Sequence, residues 1–195
     1  MEDVRELKEV LERVEGKLIA AGKMYGAMSF AVWLVILMLY YVTLGFLKPS
    51  WQFNIVYWPL AFILAMKFSG DIWKRFRRLA GIEESRMEGI KIAVVWLIGF
   101  FLGWVVVPAA LNRPADTEIG LALLTFIAFS VGGMFFVAMR SEKEMIPAFL
   151  LPALMIPPVY GMNEGATLMA GFGIGLGYSI TVLLYLYSAF KAIER

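Results

Sequence analysis

Residues 24–46 read MYGAMSFAVWLVILMLYYVTLGF, 23 residues without an Asp, Glu, Lys or Arg. A helix of that length rises roughly 34 Å, enough to cross the roughly 30 Å hydrocarbon core of a bilayer. Backbone N–H and C=O groups in hydrocarbon must be satisfied within the chain, so an isolated apolar run this long predicts a transmembrane helix. Five further runs also lack charge: Trp51 to Met66, Ile92 to Leu111, Ile119 to Met139, Met145 to Tyr160 and Ala166 to Phe190. The chain therefore reads as an all-α integral membrane protein with six transmembrane helices. Composition agrees, because 61% hydrophobic and 17% charged residues with a mean hydropathy of +0.74 exceed what a soluble surface tolerates.

Charge distribution sets the expected orientation. If the chain crosses six times, sixteen of its eighteen Lys and Arg residues fall on one side, and Lys48 and Arg113 stand alone on the other. The positive-inside rule then puts both termini in the cytoplasm of a multi-pass plasma or inner membrane protein. The expected organisation is a cytoplasmic helix over 1–23, a six-helix domain over 24–190 with a basic cytoplasmic loop at 67–91, and a tail at 191–195. The first apolar run follows a long charged stretch rather than a brief positive one, which reads as an uncleaved anchor.

Within 1–23, Val4, Leu7, Leu11, Val14, Leu18 and Ala21 step by three and four, a heptad seam. Arg5, Glu6, Glu9, Glu12 and Arg13 occupy the opposite face, with Glu9 four residues before Arg13. Such a seam either joins protomers or a partner subunit, or rests on the chain's own cytoplasmic segments. In the loop 67–91, Lys74, Arg75, Arg77 and Arg78 alternate with Trp73 and Phe76 just below the second span, a pattern suited to anionic lipid headgroups. Glu83, Glu84 and Glu88 alternate with Arg86 and Lys91 farther along, as in a short solvated helix.

Three spans followed by three spans leave a 3+3 inverted repeat geometrically available. The middle span of each half is short and holds proline: Pro59 in the first, Pro147, Pro152, Pro157 and Pro158 in the second. Paired short or interrupted spans point to broken helices around a solute site, where freed backbone carbonyls meet a ligand. The candidate pathway is Asn54, Pro59, Pro152, Pro157, Gly173, Gly175, Gly177, Ser179 and Thr181. Gly171 and Gly175, Gly173 and Gly177, and Gly99 and Gly103 have GxxxG spacing, which lets helices approach closely. Arg113, Asp116, Glu118, Asn163 and Glu164 fall at span ends on the outer side and form a candidate vestibule.

The chain holds no cysteine and no histidine, which excludes disulfides, thiolate or imidazole metal sites and His- or Cys-based catalysis. Zinc-helix, nucleophile-elbow and phosphate-loop patterns are missing, and no intramembrane carboxylate suggests proton relay. No cofactor, metal or nucleic acid is implied. Few amide residues point toward a thermophilic source, while twelve methionines run the other way. In size and span number the chain is similar to membrane substrate-binding subunits of modular vitamin transporters, with Ala27 and Ala31 in AxxxA spacing. The expected function is a non-catalytic transport or channel-like component binding a small solute. Its alternative is an assembly or scaffold subunit that docks a partner or a second copy through Val4, Leu7, Leu11, Val14 and Leu18 and through the basic loop.

Because native cysteine is absent, single cysteines test the topology. Those at Ser50, Thr117 and Asn163 should react with an impermeant thiol reagent from outside, and those at Ser85 and Ser141 should not; the opposite pattern overturns the scheme.

Overall fold

The computed structural model describes residues 2–47, 52–81, 86–139 and 142–194, without the side chains at 2, 3, 86 and 88. Ser50, Ser85 and Ser141, and the carboxylates Glu83 and Glu84, lie outside the described residues. Within them the chain is helical and holds no strand: α1 (Glu2–Leu47), α2 (Gln52–Ala80), α3 (Arg86–Phe101), α4 (Val107–Ala110), α5 (Ala115–Ala138), α6 (Ile146–Tyr160) and α7 (Ala166–Ile193). A π turn, Leu102–Val106, joins α3 to α4. Among these residues five helical stretches are long and apolar enough to cross a membrane, Val4–Leu47, Gln52–Ala80, Gly89–Ala110, Ala115–Ala138 and Ala166–Ile193. The remaining apolar run forms α6, whose 15 residues rise only about 22 Å.

The seam and the first apolar run form one helix. All 46 residues of α1 are continuous, about 69 Å of helix and over twice the hydrocarbon thickness. The polar side carries i,i+4 ion pairs, Arg5–Glu9 at 3.8 Å and Lys8–Glu12 at 3.7 Å. Glu9 thus reaches back to Arg5, where the sequence suggested Arg13. Both pairs are exposed and each adds at most about 1 kcal/mol. The stretch 67–91, expected as a loop, is helical through most of its length: α2 continues past Lys67 to Ala80, and Gly81 follows at φ 65°. Glycine tolerates that left-handed conformation and ends the helix.

The contacts divide the chain into two compact units that interleave along the sequence rather than parting at its midpoint. The first comprises Met1–Ile36, Pro49–Glu83 and Val182–Arg195. Small residues bring α1 and α7 together: Ala20, Ala189 and Ala192 are buried as a cluster, and a Cβ on Gly16 would sit 2.5 Å from the Ala192 carbonyl oxygen. Aromatic rings join α1 to α2, with Tyr25 5.0 Å from Trp73 and Trp33 5.7 Å from Phe62, centroid to centroid. The Tyr57 hydroxyl donates to the Ile36 carbonyl at 2.5 Å.

The second unit comprises Leu37–Lys48 and Glu84–Thr181, and α5 packs in it against both α3 and α6. Leu121, Leu124, Ile127 and Val131 of α5 are buried. Pro108 cannot donate to the Trp104 carbonyl, and the widened π turn just before it accommodates that lost bond. Prolines 152, 157 and 158 lie inside α6, so the carbonyls of Ala148, Ala153 and Leu154 lose their helical donors. The helix nevertheless runs unbroken from Ile146 to Tyr160, contrary to the expectation of a broken span. Pro147 sits in the first turn, where a missing N–H removes no helical bond.

Gly103 provides a test of this packing against backbone, since an added Cβ would lie 2.5 Å from the Ala122 carbonyl oxygen and 2.8 Å from Phe126 Cβ. Backbone cannot yield as a flexible side chain does, so Gly103→Ala should destabilise the protein by about 1–3 kcal/mol. Gly45→Ala and Gly70→Ala, with nothing within 4 Å, should be neutral or stabilising by up to about 1 kcal/mol. Denaturant titration in detergent, followed by tryptophan fluorescence, measures the three; equal losses would contradict the packing.

Candidate functional site

The charges expected at the outer ends of the spans include a clasp on the start of α7. Asp116 sits in the first turn of α5, and its carboxylate accepts from the Ala166 N–H at 2.8 Å and the Thr167 N–H at 3.2 Å. The Asp116 carbonyl accepts from the Thr167 hydroxyl at 3.0 Å. Thr117 donates to the Met162 carbonyl at 2.7 Å, and the Tyr41 hydroxyl to the Thr167 carbonyl at 3.1 Å. The first N–H groups of a helix have no intrahelical acceptor, and a carboxylate from a different helix supplies one here. Nearby, the Arg113 N–H donates to Glu118 at 3.3 Å, and the Arg113 guanidinium carbon lies 4.3 Å from the Tyr160 ring centroid. Arg113, Asp116 and Glu118 are therefore brought together and engaged in bonds, while Asn163 and Glu164 are exposed on the turn before α7. Thr117 is fully buried, so a cysteine there is shielded from the reagent and Asn163 becomes the reporter for this end of the helices.

The candidate pathway residues divide between the two units. Asn54 and the exposed Pro59 belong to the first unit, and Pro152, Pro157, Gly173, Gly175, Gly177, Ser179 and Thr181 to the second. In the second unit the glycine stripe meets neighbouring atoms: a Cβ on Gly177 would lie 2.7 Å from the Pro147 carbonyl oxygen, and one on Gly173 2.6 Å from Met155 Cγ. The ring of Tyr41 covers Gly171. Pro152 is buried, Pro157 is exposed, and Ser179 donates back to the Gly175 carbonyl at 2.8 Å. The hydroxyls of Thr181 and Ser130 are buried without a hydrogen-bond partner among the described residues.

The seam is open. Val4, Leu7, Leu11 and Val14 are 72%, 60%, 60% and 48% exposed, and Leu18 is half-buried. Gly16 and Ala20, which meet α7, occupy heptad positions f and c, about 160° around the helix from the a/d seam at 100° per residue. Packing on α7 thus begins near Gly16, and residues 4–15 are exposed on every side of the helix. On α2, Lys74, Arg75 and Arg78 are exposed, and the Arg77 guanidinium carbon lies 5.8 Å from the Trp73 ring centroid. A cavity of about 530 Å³ lies between α1 and α2, walled by apolar side chains and ending at Lys67 and Asp71.

Sequence reading missed the roles of Tyr41, Thr117 and the α1–α2 cavity. Asp-Thr in the first turn of a helix is a local capping signal, but its acceptor groups here serve α7, about fifty residues later, and no spacing rule reports that.

No family model and no solved structure matches the chain. Over 94 residues it is 34% identical to dual oxidase maturation factor 2 of Mus musculus. The matched stretch covers 48% of this chain and 28% of that protein.

Asp116→Ala removes the acceptor of two N–H groups and should cost about 1–3 kcal/mol, whereas Asp116→Asn keeps one acceptor oxygen and should cost less. Thermal unfolding in detergent should order the variants wild type, Asn, Ala; coincident curves would show that the clasp contributes nothing.

Proposed function

We propose that this protein is a membrane-embedded assembly factor, acting without catalysis, that holds a partner protein through the apolar seam of its N-terminal helix. The observation that carries the reading is the exposure of Val4, Leu7, Leu11 and Val14 on a helix whose later turns, at Gly16 and Ala20, already pack on α7 through a different side. Four large apolar side chains in heptad register, bare to water, form a surface that association covers. The similarity to a maturation factor supports the same class. In this reading the helix lies in the cytoplasm, α6 completes a sixth crossing, and Lys74, Arg75, Arg77 and Arg78 rest on anionic headgroups. The seam is short, and anchoring in one membrane raises the effective concentration of a co-resident partner.

Solute binding is the second reading, and the buried Thr181 hydroxyl favours it, since an unpaired polar group in that position invites a ligand. The glycine stripe, as packed by Pro147, Met155 and Tyr41, supports it less than its spacing suggested.

Replacing Leu7 and Leu11 by Ser removes the seam while sparing the buried face. The expected result is loss of the co-purifying partner with an unchanged melting temperature, and retention of the partner refutes docking through this seam. Thr181→Val, which keeps the shape, should be neutral or stabilising by about 1 kcal/mol if the hydroxyl binds nothing, and should weaken function only under the solute reading.

A further inference from the structure

We propose that the cavity between α1 and α2 binds one phosphatidylethanolamine, one of its two acyl chains against the apolar walls and its headgroup shared by Lys67 and Asp71. The volume, about 530 Å³, falls within the roughly 300–1,000 Å³ of small-molecule sites. Ala31 on α1 and Ala65 on α2 line it, and their small side chains leave the space that larger ones would fill. Lys67 and Asp71 are the charged residues of the lining, both exposed, one turn apart on α2. Tyr25, Trp73 and Phe76 cluster beside that end of the helix pair, with Tyr25 and Trp73 centroids 5.0 Å apart and Trp73 and Phe76 centroids 5.5 Å apart. Aromatic clusters of this kind mark the headgroup level of a bilayer.

The pair of opposite charges selects among lipids. A lysine preceding an acid by four residues is the poorer orientation for a helical ion pair, and among the described residues no ion pair joins Lys67 to Asp71. Both are available to an outside group. Lys67 attracts a phosphate, and Asp71 accepts hydrogen bonds from a primary ammonium. A trimethylammonium has no N–H to donate, and a glycerol headgroup brings no cation to Asp71. The geometry points to ethanolamine over choline and glycerol headgroups.

Native mass spectrometry of the purified protein tests this with phosphatidylethanolamine, phosphatidylcholine and phosphatidylglycerol of identical acyl chains. One ethanolamine lipid should bind at about tenfold lower concentration than either competitor, the value of one charge-assisted hydrogen bond. Asp71→Asn, an isosteric change at an exposed position, should erase the preference over choline with an unchanged melting temperature. Lys67→Gln should weaken all three lipids, and Ala31→Leu should expel them. Equal binding of the three, tightest binding of phosphatidylglycerol, or an ethanolamine preference that survives Asp71→Asn would overturn the proposal.

Discussion

A backbone placed in hydrocarbon must satisfy every N–H and C=O from within the protein, and the main features of this chain follow from that demand. It forces the apolar runs into helices. It also bears on the irregular places among the described residues: a π turn absorbs Pro108, the first turn of α6 absorbs Pro147, and Asp116 caps the start of α7. Once helices are obligatory, their contact distances are set by side-chain size. Gly16 against the Ala192 carbonyl, Gly103 against the Ala122 carbonyl and Gly177 against the Pro147 carbonyl replace side-chain packing by close backbone approach.

The same helix that carries the first apolar run carries the seam. Because α1 is uninterrupted from Glu2 to Leu47, its backbone bonds are internal throughout, and its two sides are free to serve different purposes. Glycine and alanine at f and c positions face α7, whereas Val4, Leu7, Leu11 and Val14 face away from it. Val4, Leu7, Leu11 and Val14 are exposed, and the docking we propose would cover them.

Helical class, the positions of most apolar runs and the seam were legible from periodicity and charge, because each depends on residues near one another in sequence. Other features were not. The helix α6 runs unbroken through three internal prolines with α5 packed against it and with Gly173 and Gly177 of α7 against Met155 and Pro147, contacts that proline content does not encode. The charges at Arg113, Asp116 and Glu118 read as a vestibule because their signs and positions are visible, but the bonds of Asp116 are long-range: it caps α7, and its neighbour Thr117 meets the carbonyl of Met162. The glycine spacing correctly indicated close approach, and only the identity of the atoms pressed against it distinguishes a packed face from a pathway.

Hydrogen exchange of the backbone amides over residues 4–15 tests the docking claim most directly. An exposed helical segment without a partner opens readily and exchanges fast, and a docked one is protected. In native membranes this segment should exchange at least about tenfold more slowly than in liposomes that hold the purified protein and extracted lipid alone. Equally fast exchange in both settings would contradict the account, because the seam would then be bare in the membrane where the partner resides.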